Sequence, residues 1–158
     1  MPSPFIVPPD RIPADEIMGI DTIRKMIPQR FEMQQLDGIL RFDPDNGIAI
    51  GFKDVSDNEF WVRGHIPGRP LMPGVIMCEA AAQLCSFYHK MLSPDAMDKF
   101  LGFGGMDNVR FRGTVVPGDR LVIVVKSTKF DSRLKVFDAQ GLVGSKMVFE
   151  ARISGIEV

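Results

Sequence analysis

The chain reads as an α+β protein in which an antiparallel β-sheet wraps around one long buried α-helix. Three observations lead there. From Val75 to Cys85 the residues run VIMCEAAAQLC, and only Glu79 and Gln83 are polar; a helix apolar on every side belongs in a core. Before it, two β-like runs flank Asp43-Pro-Asp-Asn-Gly47, and Asn-Gly is a strong hairpin signal. After it, further β-like runs follow one another with turn residues between them, as in a meander.

Residues 1–13 hold five prolines and predict an extended arm, mobile or packed on a neighbour. Ile17, Ile20, Ile23, Met26 and Ile27 have helical spacing, so a helix is expected over Asp15–Ile27 and ends at Pro28. Strands are expected over Gln35–Phe42 and Ile48–Val55. A loop from Ser56 to Met72 follows, then the apolar helix from Pro73 to Met91. Proline suits the first position of that helix because its missing N–H has no partner there anyway, and Ser93-Pro94 closes it. The later strands are Phe100–Val116, Leu121–Lys129, Leu134–Val143 and Met147–Ile153, with turns at Pro117-Gly118-Asp119, Asp131-Ser132 and Gly144-Ser145. The expected organisation is one domain over 14–158 preceded by the arm.

Composition narrows the function. Lys plus Arg total 19 and Asp plus Glu 20, a formal charge of −1, with no Lys/Arg-rich run; this gives no sign of a nucleic-acid partner. No apolar run approaches the roughly 20 residues of a membrane span. The first residues lack a basic region followed by an apolar one, so no signal peptide is read and the cytoplasm is the expected location. Cys78 and Cys85, seven apart on one helix, stand roughly 10 Å apart along its axis. That is too far for a disulfide, so both are read as small core residues.

The chemistry gathers in His65-Ile-Pro-Gly68-Arg-Pro-Leu-Met-Pro73-Gly74-Val-Ile-Met-Cys-Glu79. A carboxylate in an apolar helix is costly unless it is paired or functional. The Pro/Gly-rich loop before it can hold an imidazole in fixed geometry. Gly74 and Val75 stand at the helix start, where free N–H groups and the positive dipole end suit a carbonyl oxygen gaining negative charge. Gln83, four residues after Glu79, can orient the carboxylate. A base, an acid and an oxyanion site around one point suit proton removal next to a carbonyl. His89, near the helix end, is read as solvated or capping.

The segment Asn58-Glu59-Phe60, Gly64-His65-Ile-Pro-Gly68-Arg-Pro70-Leu-Met-Pro73-Gly74-Val75, Glu79-Ala80 and Ala82-Gln83 resembles the active-site segment of the (3R)-3-hydroxyacyl-[acyl-carrier-protein] dehydratases of type II fatty acid synthesis. Phe111-Arg112-Gly-Thr-Val115-Val116-Pro117-Gly118-Asp119 and the run from Gly141 to Ala151 resemble two later segments of that family, and Ile27-Pro28-Gln29-Arg30-Phe31 resembles its N-terminal motif. The resemblance spans about residues 20–155. It implies a hotdog fold and a homodimer with a sheet continuing across the interface, commonly assembled into a trimer of dimers. It further implies that His65 of one subunit faces Glu79 of the other. His65 takes the proton next to the thioester, Glu79 handles departure of the hydroxyl as water, and N–H groups at Gly74 and Val75 hold the thioester oxygen. The partner is acyl carrier protein bearing acyl-phosphopantetheine, with no cofactor and no metal. Glutamate at 79 resembles the plain dehydratase rather than the relative that also isomerises the double bond.

The chain departs from the family pattern at Gln29, where histidine is usual, at Glu32, Gln34 and Gln35, where apolar residues are usual, and at Gly38, where arginine is usual. Three alternatives follow: a hotdog thioesterase, a weakly catalytic carrier-binding hotdog subunit, and a dehydratase of a specialised lipid or polyketide pathway. Phe60, Phe103 and Phe111 are candidates to line an acyl tunnel. Arg69, Arg110, Arg112, Lys126, Lys129, Arg133 and Lys135 are candidates to meet an acidic carrier. Asp119 is read as a turn residue.

Overall fold

A computed structural model describes residues 1–95 and 98–158. The elements, in chain order, are α1 (Ile20–Met26), β1 (Gly38–Asp43), β2 (Ile48–Asp54), α2 (Gly74–Leu92), β3 (Leu101–Phe111), β4 (Arg120–Phe130), β5 (Leu134–Val143) and β6 (Lys146–Glu157), with short 3₁₀ turns at Pro9–Arg11 and Phe31–Met33. All strand pairs are antiparallel and form one sheet of order β1-β2-β4-β5-β6-β3. The sheet curves around α2, which is the expected hotdog arrangement. No helix among the described residues is long and apolar enough to cross a membrane.

The pleat sorts the apolar residues onto two faces. Ile39, Ala49, Ile123, Val125, Phe137 and Ala139 point inward and pack with Ala80, Ala81, Leu84, Cys85, Phe87 and Tyr88 of α2. Tyr88 meets Phe42, Phe130 and Phe137 edge-on, with centroids 5.5–5.8 Å apart, the arrangement aromatic pairs favour. Leu40, Ile50, Phe52, Val124 and Leu142 point outward, yet they too are buried, because the first segment of the chain lies over them. Val7 is only 5% exposed there. Gln140 clamps the segment by accepting from the Ile6 N–H at 2.8 Å and donating to the Pro4 carbonyl at 2.9 Å. Ser3 donates to Glu150. The unbroken apolar run Leu121–Val125 thus reflects a strand covered on both faces.

Four boundaries and one burial pattern differ from expectation. Ile17 and Met18 do not join α1. Their backbone pairs with Ile39 instead, as a short bridge on the edge of β1. β1 starts at Gly38 rather than Gln35, because the backbone of residues 33–35 bonds to Gln83 of α2. β3 ends at Phe111, where the Arg112 and Gly113 N–H groups both turn to the Val148 carbonyl, and β6 continues to Glu157. Finally, α2 is not buried all round. Val75 is 70% exposed, and Glu79 and Ala82 on the same stripe are half-buried.

Candidate active site

His65 sits in a loop closed by its own backbone. The Gly64 and His65 N–H groups donate to the Trp61 carbonyl, Ile66 and Arg69 exchange N–H···O bonds, and the Leu71 N–H returns to the His65 carbonyl at 2.8 Å. Gly68 makes the tip at φ +76°, a conformation a side chain disfavours. The His65–Ile66 peptide is cis. The loop is tied to the β3–β4 connection by the Met72 N–H on the Val115 carbonyl and to the sheet by Lys53, whose ammonium lies 3.0 Å from Glu59. Glu59 also accepts from the Ser56 N–H and hydroxyl, each at 2.9 Å. Burial alone raises the Glu59 carboxyl; the Ser56 and Lys53 bonds outweigh it and hold it below the usual carboxylate value.

The exposed imidazole places Nδ1 2.8 Å from the Leu71 carbonyl oxygen. A carbonyl only accepts, so Nδ1 carries the proton and Nε2 presents its lone pair outward. Beside it begins α2. Its first bonds run from the Ile76 and Met77 N–H groups to the Pro73 carbonyl, so the Gly74 and Val75 N–H groups stand outside the ladder. Gly74 is required here, since a Cβ would lie 2.7 Å from the Phe111 ring. His65, Leu71, Pro73, Gly74, Val75 and Phe111 line a cavity of about 360 Å³.

Glu79 opens into a different cavity, about 150 Å³, between α2 and β3. Its Oε1 accepts from Gln83 Nε2 at 2.9 Å; the same amide donates to the Met33 carbonyl at 2.6 Å, and Gln83 Oε1 accepts from the Gln35 N–H at 2.8 Å. Gln83 is 1% exposed, so these bonds fix it in place and it fixes Glu79. Gln29 lines the same cavity, with a buried Oε1 that has no partner. Ala82, Cys85, Ser86 and Gly102 leave space there, and Phe103 and Phe100 close its walls.

Within one chain, then, the structure places Gly74 and Val75 beside His65 and Gln83 beside Glu79. It does not bring His65 and Glu79 into one cavity, and the two linings share no residue.

Other candidates sort clearly. Phe103 lines the Glu79 cavity and Phe111 the His65 cavity, while Phe60 is exposed and lines neither. His89 is neither solvated nor a cap: it is fully buried, with Nε2 3.0 Å from Glu157, because its side of the last α2 turns packs against the sheet beside Phe130. Lys135 is not a free surface cation either. It is 3% exposed and donates to the Asp131 carbonyl beside the Phe130 ring. Arg112 is engaged with Glu150 at 2.6 Å. Asp119 accepts from the Val116 N–H, as a turn residue does. Both cysteines are buried and free.

The sequence reading passed over Lys53, whose role needs the β2–loop contact to be seen. It also passed over the basic residues Arg24, Lys25, Arg30, Lys90 and Lys99, which come from three separated stretches and line one groove.

Comparison with known proteins bears on both fold and chemistry. Residues 27–152 match the FabA-like domain model. The 3-hydroxyacyl-[acyl-carrier-protein] dehydratase FabZ of Desulfotalea psychrophila is 37% identical over 139 residues, covering 87% of this chain and 90% of the relative. The protein of the same name from Clostridioides difficile is 36% identical over 138 residues, covering 87% and 95%. Among solved structures, the dehydratase heterocomplex ApeI:P from Xenorhabdus doucetiae superposes with a TM-score of 0.72 at 14% identity, over 86% of this chain and 90% of that one. A mutant thioesterase from Pseudomonas aeruginosa gives 0.60 at 18% identity, over 77% and 80%. At such identities the structures speak for the fold alone. The family match and the near-full-length sequence relatives go further: this chain belongs to the FabA-like family of 3-hydroxyacyl-[acyl-carrier-protein] dehydratases.

Proposed function

We propose that the chain removes water from (3R)-3-hydroxyacyl thioesters carried on acyl carrier protein in cytoplasmic fatty acid synthesis, giving trans-2-enoyl thioesters, with His65 and Glu79 as the catalytic pair. The observation that carries this reading is the pairing of an imidazole held in one tautomer beside two free helix-start N–H groups with a carboxylate fixed by a buried amide. Nε2 of His65 takes the proton from the carbon next to the thioester carbonyl. The electron pair shifts onto the carbonyl oxygen, which the Gly74 and Val75 N–H groups hold. Glu79 gives its proton to the hydroxyl at the next carbon, which leaves as water while the double bond forms. No cofactor or metal enters these steps.

The opening of His65 and Glu79 into separate cavities of one chain supports a composite site, in which His65 of one subunit and Glu79 of a second copy face the same substrate. Several features support the pairing. β3 is an edge strand, and Phe103 and Phe111 on it are 53% and 51% exposed. Val75 on the open stripe of α2 is exposed as well, and an apolar edge of this kind calls for a partner. The functional unit is a homodimer whose sheet continues through β3, arranged as a trimer of dimers. Residues 14–158 are the dehydratase domain and residues 1–13 its arm.

The test is interconversion of 3-hydroxyacyl and trans-2-enoyl thioesters on carrier protein, followed by mass spectrometry. Wild type is expected to interconvert them, and His65→Ala and Glu79→Gln each to lose about 10²–10⁴-fold. Folded wild type that turns over neither substrate across several chain lengths overturns the reading, as does retention of activity in both variants. Release of free acid and thiol makes the chain a thioesterase instead.

A further inference from the structure

The cavity that Glu79 opens into has a size, a lining and an end wall, and together they set a limit on the substrate. On the reading above, the carbon that loses the hydroxyl lies beside Glu79, and the thioester carbonyl two bonds away lies by Gly74 and Val75 of the other subunit. The rest of the acyl chain leaves the third carbon in the opposite direction, and the space at that point is the cavity of the subunit that supplies Glu79. Its lining suits methylene groups. Ala82 and Ser86 stand three and seven residues after Glu79, on the same helix face, and their small side chains leave the room. Leu101, Gly102 and Ile153 line it from β3 and β6.

The room is short. At about 150 Å³ it matches an engineered apolar cavity that takes up benzene, so about six carbons fill it. With the three carbons of the reacting end, a chain of about nine carbons is accommodated.

Phe100 makes the end wall. Its half-exposed ring lines this cavity on one side and a separate groove, about 310 Å³, on the other, and it is the one residue the two linings share. The groove includes Lys90, eleven residues beyond Glu79 on α2, roughly 16 Å along the axis, so the ring stands at the end of the cavity away from Glu79. The backbone that carries the ring is tied down. The Phe100 N–H donates to the Val158 carbonyl and the Phe100 carbonyl accepts from the Val158 N–H, each at 3.0 Å. The neighbouring Glu157 is held by the buried His89 at 3.0 Å and reached by Lys99 at 3.4 Å. Beyond the ring the surroundings change from apolar to charged, because Arg24, Lys25, Arg30, Lys90 and Lys99 line the groove. A methyl end pushed past Phe100 strips water from these cations and offers them no partner, which is unfavourable.

We propose that Phe100 is a chain-length stop, so that this dehydratase works best on 3-hydroxyacyl chains of about eight to ten carbons and discriminates against longer ones. The proposal rests on the dehydratase reading for the placement of the reacting end, and its test separates the two.

The test has a kinetic and a binding arm. In the first, kcat/KM is measured for 3-hydroxyacyl thioesters of four to sixteen carbons on carrier protein. A buried methylene is worth about fourfold, so wild type is expected to gain by about that factor per methylene up to eight or ten carbons, and to lose at least about tenfold between ten and fourteen. Phe100→Ala is expected to raise the ratio of the fourteen-carbon to the eight-carbon kcat/KM by at least about tenfold. Phe100→Leu, which keeps an apolar side chain on the strand, should move the ratio the same way by a smaller factor, and Phe60→Ala, at a ring that lines neither cavity, should leave it at the wild-type value. In the second arm, calorimetry compares octanoyl- with tetradecanoyl-pantetheine, saturated thioesters that cannot lose water. Wild type should bind the octanoyl probe more tightly, and Phe100→Ala should reverse the order. Wild type that dehydrates the fourteen- and sixteen-carbon substrates as well as the eight-carbon one overturns the stop and leaves the dehydratase reading in place. An equal loss at every length in both Phe100 variants also overturns it, since the ring then serves the fold alone. Absent turnover at every length, with a binding order that reverses in Phe100→Ala, rejects the dehydratase reading while the stop stands.

Discussion

Gly74 meets two demands at once. Its N–H is one of the two left outside the α2 ladder and proposed to hold the thioester oxygen, and its missing side chain lets the Phe111 ring lie against the helix start. Phe111 is itself stacked on Phe149, with centroids 5.9 Å apart, so moving the ring away from the helix start breaks that stack. Gly74→Ala is therefore expected to cost about 1–3 kcal/mol by overpacking and to lower kcat more than it raises KM; thermal melts and steady-state kinetics measure the two effects. Gln83 is the corresponding residue on the acid side. Gln83→Ala strands the Met33 carbonyl and the Gln35 N–H and frees Glu79 to rotate. A buried polar group left unsatisfied costs about 1–3 kcal/mol, so denaturant unfolding should show a loss of that order, together with reduced kcat. Gly38, where the resemblance leads one to expect arginine, has a local reason here. A Cβ at that position would meet the Phe52 ring at 2.5 Å, and Arg120 from β4 already stacks over that ring at 3.9 Å.

The loop carrying His65 owes its geometry to a contact outside it. Lys53, next to the last residue of β2 and 5% exposed, anchors Glu59, which caps Ser56 at the start of the loop. Lys53→Met should leave the sheet intact, because a linear apolar chain replaces a buried stem, yet it frees the loop. The expected signature is a fall in kcat with KM nearly constant. Acid should act on the same contact. The folded Glu59 carboxyl lies below its ordinary value of 4.5, so the stabilisation it supplies is complete above that pH and is lost as pH falls through the lower folded value. Hydrogen exchange of loop amides, followed from pH 6 down to pH 3, should show the Trp61–Leu71 segment opening before the sheet does in wild type. In Glu59→Gln it should be open throughout.

At the scale of the molecule, two surfaces need covering. The outer face of the sheet is covered by the chain's own first residues. Removing residues 1–12 exposes Leu40, Ile50, Phe52, Val124 and Leu142, an apolar patch of the kind that promotes association. The shortened chain is expected to melt at lower temperature and to bind a hydrophobic dye, with aggregation visible by light scattering. The β3 edge and the open stripe of α2 are the second surface, and a composite site predicts a sharp result. His65→Ala and Glu79→Gln, each inactive alone, should regain activity when unfolded together and refolded as a mixture, because mixed dimers hold one intact His65–Glu79 pair. No recovery on mixing would place both residues in the same chain's site.

Much of this is legible in the sequence. The long apolar helix with Glu79 and Gln83 as its polar residues, the Asn-Gly hairpin and the later strands follow from local patterning, since side-chain period and turn chemistry act over a few residues. The His65–Glu79 segment was legible for the same reason: its prolines, glycines and polar residues lie in one continuous stretch. What the sequence left open depends on residues far apart in the chain. Whether the proline-rich arm is mobile or packed depends on Gln140, and whether β1 starts at Gln35 or Gly38 depends on Gln83. The state of His89 depends on where α2 ends relative to Glu157. The basic groove exists only because α1, the end of α2 and Lys99 converge. Local propensity determined which elements form and which residues can do chemistry. Tertiary packing decided which of those residues meet, because hydrogen-bond partners and charges in three dimensions are not encoded in spacing along one strand or helix.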